Sequence, residues 1–308
     1  MADGTDFLGS SEDVRVDPSR CMRTRYSESG CCRCIDICPH GAIALDDGLV
    51  RHPDHCRGCL LCTTVCPVGA LEQSGDFSAC LAQLTRVPEA VLGCPRTSGS
   101  CHAALSCLGG LSEEHLVALC HSMPGVLTLN LCRCAECGNS AMTSHLLRRL
   151  ADLSASGALR GGCRIVSATS PADMHFLAES TDRRSFFKML RRSLLQSAAV
   201  ALADRAEQKQ RCTGYAEKRV PVRQELLNRT VDRLSPEVAN VLRRRFGYGM
   251  TVSGACTACQ GCVAICPTGA PQTKAMDAPP MFEGTKCTGC GLCQEFCLDG
   301  ALQVCPAV

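Results

Sequence analysis

The sequence predicts an α+β chain. Two cysteine-rich modules, residues 1–87 and 249–308, flank a small α/β domain with a parallel sheet at 88–172 and a basic helical connector at 173–248. Three observations carry this reading. Paired cysteine motifs within residues 21–66 recur within 256–297, an internal repeat that brackets the chain. Between the copies, short apolar runs alternate with stretches of helical period. Half of the 32 lysines and arginines fall between Asp182 and Phe246, where the apolar pattern also turns helical.

The 28 cysteines among 308 residues need a chemical cause, and disulfides, zinc and iron–sulfur clusters are the candidates. Disulfide frameworks belong mainly to short secreted domains, whereas this chain is long and opens with polar Met1 to Asp13 and no apolar secretory segment. The thiols are therefore read as reduced, cytoplasmic and mostly metal-bound. A formal net charge of +2 and 4% aromatic residues argue against nucleic acid as a partner. The uncharged stretch Ser193 to Ala203 falls short of the roughly 20 residues that a transmembrane helix needs.

In the first module, Cys56-Arg-Gly-Cys59-Leu-Leu-Cys62-Thr-Thr-Val-Cys66-Pro67 sets three cysteines at two-residue intervals, then a fourth followed by proline. Its partner run is irregular. Reading back from Cys38-Pro39 gives Cys34 and Cys31, but the first position falls on Glu28, in Glu28-Ser-Gly-Cys31-Cys32-Arg-Cys34. Cys21 could complete the set through a longer loop, Cys32 could substitute, or the site could be a three-iron or vacant one. Cys21 is favoured: adjacent Cys31 and Cys32 side chains point in different directions, while the nine-residue loop closes at modest extra entropy.

In the middle, Val91-Leu-Gly-Cys94, Ala104-Leu-Ser-Cys107-Leu108, Val126 to Cys132 and Cys163-Arg-Ile-Val-Ser167 read as buried strands. Helices are expected from Ser112, a plausible cap, to Leu119 and from Ser140 to Leu153. Cys94, Cys107 and Cys132 then lie at or near carboxyl ends of strands, the edge where open α/β sheets bind ligands. Cys101, Cys134 and Cys137 are close by in sequence. A further metal site, a 2Fe-2S cluster or zinc on Cys94, Cys101, Cys107 and Cys137, is expected. Cys80, Cys120, Cys163, Cys212 and Cys305 are read as buried small hydrophobes.

In the connector, Phe187, Leu190, Leu194, Ala198 and Leu202 share one helical face, and Ser235-Pro236-Glu237 reads as a cap with proline at the first helical position. Thr181 to Lys188 contains a twin-arginine pattern, but its internal position favours an amphipathic basic helix over an export signal. His102, His115, His121 and His175 form no recognisable pairing and are read as surface or packed residues. No dinucleotide, phosphate-loop or nucleophile motif is legible, so no catalytic residue is assigned.

In the last module, Cys256-Thr-Ala-Cys259-Gln-Gly-Cys262-Val-Ala-Ile-Cys266-Pro267 repeats the full pattern, and Cys287-Thr-Gly-Cys290-Gly-Leu-Cys293-Gln-Glu-Phe-Cys297 keeps the cysteines but has Leu298 in place of proline. Zinc knuckles use two such pairs at most, so four runs of this form point to iron–sulfur clusters. Both modules resemble the dicluster bacterial-type ferredoxins, closely so at the C-terminus, where Pro-Thr-Gly-Ala follows Cys266. The resemblance implies two ferredoxin-like domains with four 4Fe-4S clusters whose fourth ligands cross over. The sets are then Cys21, Cys31, Cys34 and Cys66; Cys56, Cys59, Cys62 and Cys38; Cys256, Cys259, Cys262 and Cys297; and Cys287, Cys290, Cys293 and Cys266. The stretch from Cys107-Leu-Gly-Gly to Cys137-Gly-Asn139 resembles the small iron–sulfur subunit of methanogen-type hydrogenases and heterodisulfide reductases, although that family's Gly-Cys-His loop is missing.

These observations lead to a cytoplasmic electron-transfer protein that serves as a non-catalytic subunit of an anaerobic oxidoreductase complex and meets redox partner proteins. A metalloenzyme built on the middle metal centre, or a free polyferredoxin carrier, are the alternatives. A redox sensor would need an output domain, and none is legible.

Overall fold

The computed structural model of the chain describes residues 11–45, 48–174, 176 and 217–307. The helical face from Phe187 to Leu202, the twin-arginine pattern, His175 and Cys212 lie outside them. In chain order the first module contains β1 (Val14–Val16), α1 (Met22–Arg25), α2 (Arg33–Asp36), β2 (Ile43–Ala44), β3 (Val50–Arg51), α3 (Leu61–Val65) and β4 (Leu71–Gln73). β1 and β4 pair antiparallel and tie the ends of the module, with Val14 opposite Gln73, while β2 and β3 form a second antiparallel pair inside it. Elements this short bury little apolar surface. The core they share is lined by cysteines together with Ile43, Leu49, Leu61, Val68 and Leu71.

The helix α4 (Phe77–Leu84) leads into a four-stranded sheet made of β5 (Glu89–Gly93), β6 (Ala103–Ala104), β7 (Val126–Asn130) and β8 (Arg164–Ala168), in the order β6-β5-β7-β8. Every pairing is parallel. A parallel sheet needs crossovers that cover its faces, which is why its central strands carry continuous apolar runs. Ala90, Val91, Leu92, Leu127 and Leu129 are fully buried. The crossovers are α5 (Glu113–Ser122) and α6 (Met142–Ala155). The run Ala104 to Leu108 is not a strand beyond Ala104; it bends into a 3-10 turn at Leu108–Gly110, with the Ser106 hydroxyl donating to Asp13.

Ser112 caps α5 by accepting from the His115 N–H, and His115 folds back so that its Nδ1 accepts from the Ser112 N–H at 3.3 Å. The His115 ring lies 4.3 Å from Phe77 and its Nε2 is 3.1 Å from the Gln73 amide. Burial holds this imidazole at a pKa of about 4, below its ordinary 6.5. The unfolded chain therefore binds the extra proton first, and stability is lost as pH falls from 6.5 toward 4, by on the order of 3 kcal/mol at most. Equilibrium denaturation of His115→Gln against the unaltered protein should show a smaller loss across that window; parallel pH curves would refute the assignment.

Two further helices, α7 (Val222–Val231) and α8 (Pro236–Phe246), precede the last module, with Ser235 at the N-cap and Pro236 at the first position of α8. α7 packs against α5. The last module repeats the first: β9 (Tyr248–Val252), α9 (Gly261–Ile265), β10 (Pro271–Gln272), β11 (Met281–Phe282), α10 (Leu292–Glu295) and β12 (Leu302–Pro306). β9 pairs with β12 and β10 with β11, both antiparallel, matching the outer and inner pairs of the first module. The described residues up to 174 and from 218 onward form one compact unit. Among the described residues no helix is long and apolar enough to cross a membrane.

Candidate metal centres

Three of the four cysteine loops share one backbone device. The residues just before and after the middle cysteine are left-handed: Gly58 and Leu60 (φ +62° and +62°), Ala258 and Gln260 (+55° and +59°), and Gly289 and Gly291 (+63° and +82°). This alternation curls each loop so that successive thiols turn to one side. L-residues adopt it at a cost of roughly 1–2 kcal/mol each, and such strain gathers where a site requires it. The fourth loop departs. Cys32, the corresponding position after Cys31, has φ −129° and caps α2.

The departure fits where Cys21 sits. Cys21, Cys31, Cys34 and Cys66 line one pocket, walled by Met22, Leu45, Leu49, Val68 and Leu71. Cys32 turns away from it, its Sγ 3.0 Å from Asp36 Oδ2 at the surface. Fourth cysteines sit with the neighbouring loop: Cys38 near Cys56, Cys59 and Cys62, and Cys266 near Cys287, Cys290 and Cys293. Cys256, Cys259 and Cys262 form the remaining loop, and Cys297 follows α10.

The donor set suits iron–sulfur clusters, whose thiolate ligands are stabilised by N–H groups aimed at sulfur. The N–H four residues on points at the fourth cysteine in three of the runs: Ala42 to Cys38 at 3.4 Å, Ala70 to Cys66 at 3.2 Å and Ala301 to Cys297 at 3.4 Å. Cys266 meets the Thr268 hydroxyl at 3.4 Å instead. Burial, with Cys66, Cys21 and Cys31 adding to it, pushes Cys34 up to about 12, and burial raises Cys62, Cys290 and Cys293 as well. Loading a cluster therefore releases protons from buried thiols.

In the middle domain the structure gathers Cys94, Cys107, Cys134 and Cys137 around one cleft, with Arg96, Ser106, Asn139 and Met142. Cys101 is not among them. It follows a 3-10 segment and lies against Gly93, its Sγ 3.8 Å from the Ser98 carbonyl. Cys134 takes its place, and the signal for it was the two-residue gap to Cys137. Cys132 faces the Ala168 carbonyl at 3.6 Å. Cys80 and Cys120 are buried, Cys163 packs beside Cys120, and Cys305 is half-buried near Gly249.

Residues 28–70 match a family model described as a 4Fe-4S dicluster domain, and residues 251–298 match a second model of the same description. Both ends of the chain are 4Fe-4S dicluster domains. No curated protein and no solved structure matches the chain. The match to the N-terminal dicluster domain begins at Glu28, where regular spacing would put the first ligand, so Cys21 lies outside it.

The two dicluster domains meet within one unit. Tyr26 packs edge-on to Phe296, with centroids 5.3 Å apart, and Arg25 donates to the Ile265 carbonyl at 3.1 Å. A strap at 218–219 joins their Cys-Pro turns: Lys218 donates to Ala264 O, the Arg219 N–H to Pro267 O at 3.0 Å, and Arg20 donates to both Val68 O and Arg219 O.

Proposed function

We propose that this iron–sulfur protein relays single electrons through four 4Fe-4S clusters as a non-catalytic, cytoplasmic subunit of a larger anaerobic oxidoreductase. The observation that carries the reading is the direct contact between the two dicluster domains, whose Cys66-Pro67 and Cys266-Pro267 turns share one strap. On this reading the ligands are Cys21, Cys31, Cys34 and Cys66; Cys56, Cys59, Cys62 and Cys38; Cys256, Cys259, Cys262 and Cys297; and Cys287, Cys290, Cys293 and Cys266. Each cluster supplies a one-electron store. The chain's own residues set how readily it fills, through sulfur-directed N–H groups, burial and nearby charge.

A free carrier needs neither a middle domain nor a connector, so those parts are read as docking surface. Arg229, Arg233, Arg243 and Arg244 are exposed on or beside α7 and α8 and suit an acidic partner. Anaerobic isolation from a native extract at low ionic strength should bring down a stable complex that loosens as salt is added. A monomer under those conditions would overturn the subunit reading.

A further inference from the structure

We propose that Cys94, Cys107, Cys134 and Cys137 hold a fifth iron–sulfur cluster, placed against the N-terminal dicluster domain beside the site of Cys56, Cys59, Cys62 and Cys38. Three chain segments deliver the four thiols. Cys94 directly follows β5, Cys107 caps the 3-10 turn at Leu108–Gly110, and Cys134 and Cys137 lie in the turns after β7. The cleft thus lies at the carboxyl edge of the parallel sheet, where adjacent strand ends open toward ligand. The thiols line it together; Cys101 and Cys132 do not.

The surroundings repeat what the dicluster loops show. The Asn139 N–H points at Cys137 Sγ at 3.5 Å, as Gly289 N–H does at Cys287. The Gly109 N–H likewise faces Cys107, and the Thr143 hydroxyl faces Cys134. Arg96 adds positive charge at the rim, opposite the negative charge of four thiolates.

The cleft also touches its neighbour. Asn139, on its wall, donates to the Arg57 carbonyl at 2.9 Å and pairs with His40 Nε2 at 3.1 Å. A Cβ on Gly109 would stand 2.2 Å from the Cys59 carbonyl oxygen, so only glycine permits this approach. Cys107 lies within Coulombic reach of Cys59. One electron would cross here, oxidising one cluster as it reduces the other. This link rests on the relay reading; the site itself does not.

The test uses the full-length protein, reconstituted anaerobically with iron and sulfide in the presence of zinc, with both metals quantified. Four cubanes account for about sixteen irons, so a fifth site predicts about twenty for a 4Fe-4S cluster or about eighteen for a 2Fe-2S cluster, which Mössbauer spectra distinguish. Cys107→Ala with Cys134→Ala should lose that excess and keep the dicluster EPR signals, while Cys101→Ala keeps the unaltered count. In the unaltered protein, the added signal should broaden through spin coupling when the N-terminal domain is reduced. About sixteen irons, or zinc in place of the excess, would overturn the site, and so would an equal loss in Cys101→Ala. An uncoupled fifth signal would overturn the contact. A five-cluster monomer would sink the subunit reading alone, and a four-cluster complex the fifth site alone.

Discussion

Cys21→Ala is expected to remove at least one iron from the N-terminal dicluster domain, leaving a three-iron or empty site, whereas Cys32→Ala should leave the iron content unchanged. Cys21 is buried, and its backbone is fixed on both sides: its N–H donates to the Pro18 carbonyl at 3.0 Å and its carbonyl accepts from the Arg25 N–H at 3.0 Å. Beneath it, Arg20 donates to the Val68 carbonyl at 2.7 Å, tying this segment to the Cys66-Pro67 turn. The thiol therefore meets Cys31, Cys34 and Cys66 without further movement. Cys32 would have to leave Asp36 and rotate the cap of α2. Iron analysis and EPR of the oxidised proteins decide the matter: a full complement in Cys21→Ala with a deficit in Cys32→Ala would reverse the assignment.

Arg223→Ala should destabilise the protein by about 3–5 kcal/mol, the range for removing one member of a buried ion pair. Its guanidinium donates to Glu114 at 3.0 Å, to the Thr63 carbonyl at 2.5 Å and to the Cys66 carbonyl at 2.6 Å, so one side chain on α7 joins the middle domain to the N-terminal dicluster domain. Both partners are largely buried, at 11% and 14% side-chain exposure. Burial alone would raise the Glu114 carboxyl, yet Arg223 holds it below the ordinary carboxylate range. Without the arginine that charge is buried and unpaired. Arg223→Ala with Glu114→Gln should recover part of the loss, and a change under 1 kcal/mol in the single variant would show that the contact carries little.

The cysteine runs were legible because ligand spacing is a local property, and the parallel sheet because buried strands write continuous apolar runs. That Cys134 rather than Cys101 lines the middle cleft depends on how the turn after β7 winds, which residue spacing alone does not settle. The pair β5–β6 covers only two residues because Gly93 and the turn after Ala104 divert the chain. In sequence the connector reads only as a basic helical segment. In the structure, Lys218, Arg219, Arg223 and Arg245 turn to groups on other elements, with Arg219 on Glu72 and Arg245 on Glu113. Arg15 and the Val222 N–H also converge on Glu72. Sequence shows that a cation is present; only the folded chain shows which acid it meets.

The three left-handed loops are not equally comfortable without their metal. The loop of Cys287 to Cys293 places glycine at both left-handed positions, that of Cys56 to Cys62 at one, and that of Cys256 to Cys262 at neither. In the apo chain, Ala258 and Gln260 gain most by relaxing to ordinary backbone, while Gly289 and Gly291 gain nothing. The repeats are thus graded in how far their shape leans on the cofactor. Oxidative damage that strips metal from the chain would unwind the Cys256 loop first and leave the Cys287 loop preformed for repair.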